Sequence, residues 1–553
     1  MGAKQIYPAY KLFRLDAAAE EGFDPGQMTG SKPALLPTAE VPMKDTLTTS
    51  RRSVLVGLGA GLAALALPRG LRAQQTGGVL RFGLSTFPPS LKPFDNTGGA
   101  ANTVKLSIFR GLMGYNAAAE LQPEVAESYE WTNPQTLVMT LRHNAVFHNG
   151  DPVTAADVVF SLNEITKEGS TAFLKSDLAI IETVEAVDDK TVRITLSAPS
   201  SIFLNLLANY CSPIISAKST EDNVIGCGPF TLGAQERGVF IEVARFADFY
   251  MPDEPHLAGI RFIAYADENL RYSALEAGDV DLIEYLPWTQ FDTVEASGRL
   301  EMKSTLGPFM FLLFNVTDGP FADPRVRQAV GYAIERQDVV DAAFAGRGEP
   351  LYGLPNPEGS PFDLADPEHE FTYDMEKAKA LLAEAGYPNG FDCRLLATAT
   401  YGMHQDTASV VQAYLAMIGI NATLDLPDWG SRVTAGTEGR YDIAVHGTSG
   451  TFNDPDALFS LLYSGNPSYL QSFGFKSERI DGLLMQGRTE PDVEKRKAIY
   501  QELYAAYYEE VPQVPLNWRT QAHAMTVSVG GFEALPGFLN GSTAFVLEET
   551  TLA

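Results

Sequence analysis

The sequence predicts an α/β protein folded as two or more lobes, and three observations carry that reading. At 553 residues the chain exceeds what one hydrophobic core usually serves. Short runs of alternating apolar residues interleave with runs of helical period. No Gly/Ser-rich or Pro-rich linker divides the chain. Lobes joined without a linker imply strands that cross between them, which is a hinge geometry.

The strand runs come first. Leu137, Met139 and Leu141 share one face of Thr136–Leu141, and Val192, Ile194 and Leu196 repeat the pattern from Thr191. Between them Thr154 stands three residues before Asp157, a variant capping box. Val158, Val159 and Leu162 then give the helix its apolar side, and Gly169 lies past its end. Asp323 followed by Pro324 starts a second helix, with Val326, Val330, Ala333 and Ile334 as its stripe. Lys377–Ala385 and Thr407–Ile418 read as further helices, the latter leading through Gly419 into a strand over Asn421–Leu426.

The formal charge of −28 excludes a nucleic-acid partner, whose phosphates need a basic face, and disfavours an anionic membrane surface. Acidity names no ligand; solubility explains it as well. The three cysteines, Cys211, Cys227 and Cys393, form no CxxC pair. Cys211 and Cys227 are near enough in sequence to be bridged, or both are buried free thiols; spacing does not decide between them.

Residues 1–75 read as an address. Arg51 and Arg52 precede a fourteen-residue apolar run, Val54–Leu67, which ends at Pro68 with a possible cleavage point at Ala73. The run is too short to span a bilayer core of roughly 30 Å and has the flanks of a cleaved secretory signal. The arginine pair and the Gly/Ala-rich run resemble a twin-arginine signal, although Val54 stands where Phe is commonest. No Cys follows the run, so the expected product is not a lipoprotein. Gly57, Gly59 and Gly61 imitate a dinucleotide turn, but the next acidic residue is Asp95 and Pro68 breaks the helix. Met43 is an alternative start to Met1.

No HExxH, GxSxG, P-loop or EF-hand pattern is present, so nothing argues for an enzyme, a metal site or a cofactor. Gly447-Thr448-Ser449-Gly450 is one residue short of a nucleophile elbow. The seven histidines never fall at ligand spacing, and packing or surface roles are expected for them.

Four segments in order resemble the dipeptide, oligopeptide and nickel-type solute-binding proteins of bacterial ABC importers. They are Leu121–Leu162, the GCGPFTL run ending at Leu232, Phe249–Tyr285 and Phe314–Val340. The resemblance covers Gly77–Ala553 and implies a two-lobed periplasmic-binding-protein fold with a hinge and an extra subdomain on lobe I. Its implied boundaries are 77–307 for lobe I, with the subdomain over about 112–222, 308–519 for lobe II, and 520–553 for a return to lobe I. The implied function is periplasmic capture of a peptide-like or other small organic solute, delivered by a monomer to the membrane permease subunits. A secreted hydrolase of unrecognised type and a sensory or chaperone-like use of the fold are the alternatives. Permease and ATPase genes beside this one would favour import.

The resemblance places the cleft near Phe87, Trp288, Trp429, the segment from Gly447 to Asp456, and the return crossover at Trp518 and Arg519. Each tryptophan is read as ligand contact or core packing, and Trp131, in the subdomain signature, as core. Arg519 would fork onto a ligand carboxylate or make a plain ion pair. Peptide binders of the family carry an Asp before their Asp-Pro-Asp-like segment to hold the α-ammonium. Here that segment includes Asp454, and Thr451 takes the place of the Asp. A buried ammonium there would lack its counter-charge, so ordinary peptides are disfavoured. Nickel chelates are a lesser alternative, with His446 near the cleft but unaccompanied.

Overall fold

Leu137, Met139, Leu141, Val192, Ile194 and Leu196 are all fully buried, because their alternation puts them on one face of a small antiparallel sheet. Its strands run in the order Ala126–Asn133, Thr136–Leu141, Thr191–Leu196 and Ile181–Ala186. Helix Ala155–Thr166 packs on the last two. At its start the Asp157 carboxylate accepts from the Thr154 backbone N–H at 3.0 Å and from its hydroxyl at 2.6 Å. Trp131 is half-buried with its ring edge-on to Phe203. The computed structural model describes residues 77–553 except 221–222, 357–361, 363–365 and 466. The expected signal, with Arg51, Arg52 and Val54–Leu67, and the glycines Gly57, Gly59 and Gly61 lie outside the described residues.

A second, mixed sheet of eleven strands forms the body. Ten of its strands lie in the order Ile420–Asp425, Phe391–Leu396, Ile443–Thr448, Leu300–Phe314, Val514–Thr526, Leu282–Ile283, Val79–Leu84, Gly259–Ala264, Phe240–Arg245 and Phe230–Glu236; Gly348–Pro350 pairs with Val514–Thr526. Each half carries a parallel crossover. Helix Glu268–Ala277 links Gly259–Ala264 to Leu282–Ile283, both parallel to Val79–Leu84. Helix Gly402–Met417 links Phe391–Leu396 to Ile420–Asp425. This is the two-lobed α/β architecture. The helices expected at Lys377–Ala385 and Thr407–Ile418 are Met375–Glu384 and Gly402–Met417.

The central strands, Leu300–Phe314 and Val514–Thr526, are antiparallel and serve both halves. Their register slips midway. Leu306 pairs with Thr520 and Phe309 with Trp518, so Gly307 and Pro308 together oppose Arg519. Pro308 has no N–H to donate and is tolerated in such a bulge. A Cβ on Gly307 would meet the Gly537 carbonyl oxygen at 2.3 Å, so glycine is required by close approach. A bulge bends and twists its strand, and here it lies opposite Arg519, which lines the space between the halves.

The three cysteines are buried and free, which corrects the bridged alternative for Cys211 and Cys227. Their sulfurs face different neighbours: Cys211 Sγ lies 3.2 Å from the Asp95 carbonyl oxygen, and Cys227 Sγ 3.7 Å from that of Ile214. Among the described residues no helix is long and apolar enough to cross a membrane.

Candidate functional site

Strand alternation sends Arg519, Gln521 and His523 to one face of Val514–Thr526, and all three line a cavity of about 150 Å³. The opposite half supplies Tyr401, His404, Trp429, His446 and the run Gly447–Thr451. Helix Gly99–Ile108 begins at the same cavity: Gly98, Gly99 and Asn102 line it, and the helix start has no side-chain cap. Trp429 is placed by the end of strand Ile420–Asp425, after which the Asp428 carboxylate accepts from Ser431 N–H and starts helix Trp429–Thr437. Its indole lies edge-on to Tyr401 at 5.2 Å, His404 at 5.9 Å and Tyr469 at 6.2 Å. A Cβ at Gly98 would stand 4.0 Å from Trp429 Nε1, so the two halves approach closely there.

Charge is sparse and uneven in this space. Arg519 is 3% exposed, makes no ion pair among the described residues, and leaves Nε without a hydrogen-bond partner. One of its guanidinium nitrogens donates to Gln521 Oε1, and the Tyr285 ring lies 5.9 Å away. Burial pulls its pKa below the usual arginine value. Glu284 is the cavity's carboxylate, and it is already engaged. Its Oε1 accepts from the Ser85 N–H at 2.7 Å and from the Ser85 hydroxyl at 2.5 Å. Burial raises its pKa, with Ser85 and the nearby Arg271 charge opposing that rise.

Of the residues expected from sequence, Trp429, Thr451 and Arg519 line the cavity. Phe87, Trp288, Asp454 and Trp518 are not among its lining residues, and each has other partners. Phe87 is half-buried against the core. The Trp288 indole N–H donates to the Thr520 carbonyl at 2.6 Å and its ring meets Phe344 edge-on at 4.9 Å. Trp518 is one residue from Arg519 on a strand, so the two side chains take opposite faces; its ring packs on Phe309 at 5.5 Å and Phe538 at 6.0 Å. Asp454 accepts from two nitrogens of Arg496, at 3.0 and 2.8 Å, and caps the turn Pro455–Leu458.

His404, His446 and His523, for which packing or surface roles were expected, stand in the cavity wall. A period-two reading from Arg519 would have found His523, His446 directly precedes the Gly447–Asp456 segment expected near the cleft, and nothing local marks His404. Burial lowers the pKa of all three. It takes His523 down to about 4, and the Arg432 charge adds to burial in holding His404 and His446 well below the usual value. For a base whose folded pKa is depressed, stability is present above the unfolded pKa of about 6.5 and is lost as pH falls. Unfolding titrations should therefore show stability falling from pH ~6.5 toward pH ~4, with His523 alone contributing about 3 kcal/mol. His523→Gln should flatten that slope. An unchanged slope in the variant would show that His523 is not buried neutral.

Among the described residues no group of three His, Cys, Asp or Glu could hold a metal ion.

Comparison with known proteins agrees with this architecture. The profile of bacterial extracellular solute-binding proteins, family 5 (middle), matches residues 120–469. The glutathione-binding protein GsiB of Escherichia coli (strain K12) is 28% identical over 480 residues, 84% of this chain and 92% of that protein. The binding protein AgaA from A. tumefacien R10, solved in complex with agropinic acid, is 38% identical with a TM-score of 0.82. The match covers 86% of this chain and 99% of that one. The binding protein DppA from Helicobacter pylori, in complex with the peptide STSA, is 23% identical with a TM-score of 0.78, over 87% and 99% of the two chains; this likeness concerns the fold. The chain thus belongs to family 5 of the bacterial extracellular solute-binding proteins, which capture solutes for ABC importers and are not enzymes.

Proposed function

We propose that this chain captures a small organic solute bearing a carboxylate, and that Arg519 holds that carboxylate. The observation that carries the reading is a buried guanidinium at the cavity wall with no ion-pair partner and an unpaired Nε. An uncapped helix start adds partial positive charge on the same space. Thr451 and its neighbours Gly447–Gly450 bring no carboxylate to the opposite wall, so a peptide α-ammonium finds little compensation there. AgaA, 38% identical, was solved with an organic acid, which supports the same class. Trp429 gives apolar area from one half while Arg519 comes from the crossing strand, and a ligand touching both shifts the equilibrium toward closure.

The boundaries proposed are 77–307 with 520–553 for lobe I, including the subdomain over about 112–222, and 308–519 for lobe II. The bulge of Gly307 and Pro308 against Arg519 supports a hinge at that junction. A thermal-shift panel tests the ligand class. Free di- to pentapeptides at millimolar concentration should leave the melting temperature unchanged, whereas a set of small organic acids should include stabilising members. General stabilisation by peptides would contradict the reading.

Export as a folded monomer through a twin-arginine signal is the accompanying proposal, supported by Arg51, Arg52 and Val54–Leu67. Changing both arginines to Lys should hold unprocessed protein in the cytoplasm. The wild-type mature N-terminus should lie near Gln74 and carry no lipid. Normal periplasmic processing of the double variant would refute the twin-arginine route.

A further inference from the structure

The cavity wall offers more hydrogen bonds than the protein itself uses. Both ring nitrogens of His446, Nδ1 of His404 and of His523, Oδ1 of Asn102 and Nδ2 of Asn540 are buried without partners, and all five residues line the cavity. Buried polar atoms are ordinarily paired, so unpaired ones on residues gathered around one space mark the hydrogen bonds an occupant is suited to complete. The three rings are neutral through burial, and a neutral imidazole has one donor and one acceptor nitrogen. Asn102 contributes an unpaired acceptor and Asn540 an unpaired donor. A hydroxyl both donates and accepts without charge; an amide does so too, but a peptide brings its amides together with an α-ammonium, and the carboxylate of this lining, Glu284, is already engaged by Ser85. A second carboxylate would match only the donors. An ammonium would find Glu284 already held by Ser85. Thr451, Ser542 and Thr543 extend the same neutral polar lining, and the aromatic rings of Tyr401 and Trp429 give C–H faces a surface to lie on.

We infer that the solute is a polyhydroxylated carboxylic acid, its carboxylate at Arg519 and its hydroxyl-bearing carbons along His446, His404, Asn102 and Asn540. This rests on the reading of Arg519 as the carboxylate anchor, and the test separates the two. Calorimetric titration of the purified mature protein would compare D-gluconate, hexanoate and D-sorbitol: a six-carbon acid with hydroxyls, one without, and a polyol lacking the acid. Gluconate should bind at least tenfold more tightly than either. Hexanoate binding as well as gluconate overturns the hydroxyl requirement and leaves the Arg519 anchor standing. Sorbitol binding as well as gluconate overturns the anchor. Binding of none of the three overturns the solute class. His446→Phe keeps the ring and removes both nitrogens; it should weaken gluconate at least tenfold with an unliganded melting temperature unchanged or higher. Undiminished gluconate affinity in that variant would contradict the inference, and the three-ligand comparison on the unaltered protein stands whether or not the variant folds.

Discussion

Arg519→Met is expected to abolish measurable solute capture while leaving the unliganded protein as stable as before, or more so. Truncating one side of a buried, hydrogen-bonded charge pair costs about 2–5 kcal/mol of binding, roughly 30-fold to a few thousand-fold in Kd. The opposite sign for stability follows from the empty-cavity state. There the guanidinium is 3% exposed and has no counter-charge, and an uncompensated buried charge is costly. Met keeps the aliphatic stem and removes that cost. Arg519→Lys retains charge but loses the planar fork, so binding should fall to an intermediate level. Calorimetry and urea unfolding, run on the same samples, check both halves. A Met variant that binds normally removes Arg519 from the site; one that unfolds easily makes it a structural residue.

The fold was legible where period and burial coincide. Alternation at Leu137–Leu141 and Val192–Leu196 named strands because one face of a half-buried sheet must be apolar. The Asp323-Pro324 start named a helix because its cap is local: the Asp323 carboxylate accepts from Arg325 N–H at 2.9 Å. Site residues were less legible, because aromatic type says how much area a side chain buries and not against what. Trp288 and Trp518 bury theirs in the protein, while Trp429 gives its area to the cavity wall. Asp454 was drawn to the cleft by its position, but Arg496, 42 residues on, already holds it. The three cavity histidines come from three distant elements, and no sequence spacing could bring them together. Arg519 was found through resemblance at the crossover; the bulge opposite it depends on a pairing of strands some 200 residues apart.

The second large effect concerns a buried triad. Arg488 lies between Asp456, with Nη2···Oδ2 at 2.7 Å and Nε···Oδ1 at 3.0 Å, and Asp177, with Nη2···Oδ1 at 2.8 Å. The side chains of all three are nearly inaccessible, at 4%, 0% and 8%. Its guanidinium also stands 3.5 Å from the centre of the Phe459 ring. Burial raises both carboxyl pKa values, and the arginine opposes this in each case. Arg488→Ala would leave two buried carboxylates facing a void, and breaking a buried pair in this way costs about 3–5 kcal/mol. Urea unfolding should register that loss. Changing Arg488 to Met together with Asp177 and Asp456 to Leu should recover much of it, because no buried charge is then left alone. By the proposed boundaries Asp177 belongs to the subdomain and Arg488 to lobe II, so the triad also ties the two. A wild-type unfolding curve for Arg488→Ala would show that the triad contributes nothing.

Native mass spectrometry of the mature protein as purified, followed by identification of whatever denaturation releases, tests the central claim most directly. The claim is a solute held by its carboxylate at Arg519. It predicts one small molecule per chain, carrying a carboxylic acid and lost in Arg519→Met. A peptide with a free α-ammonium, retained equally by the wild type and by Arg519→Met, would contradict it.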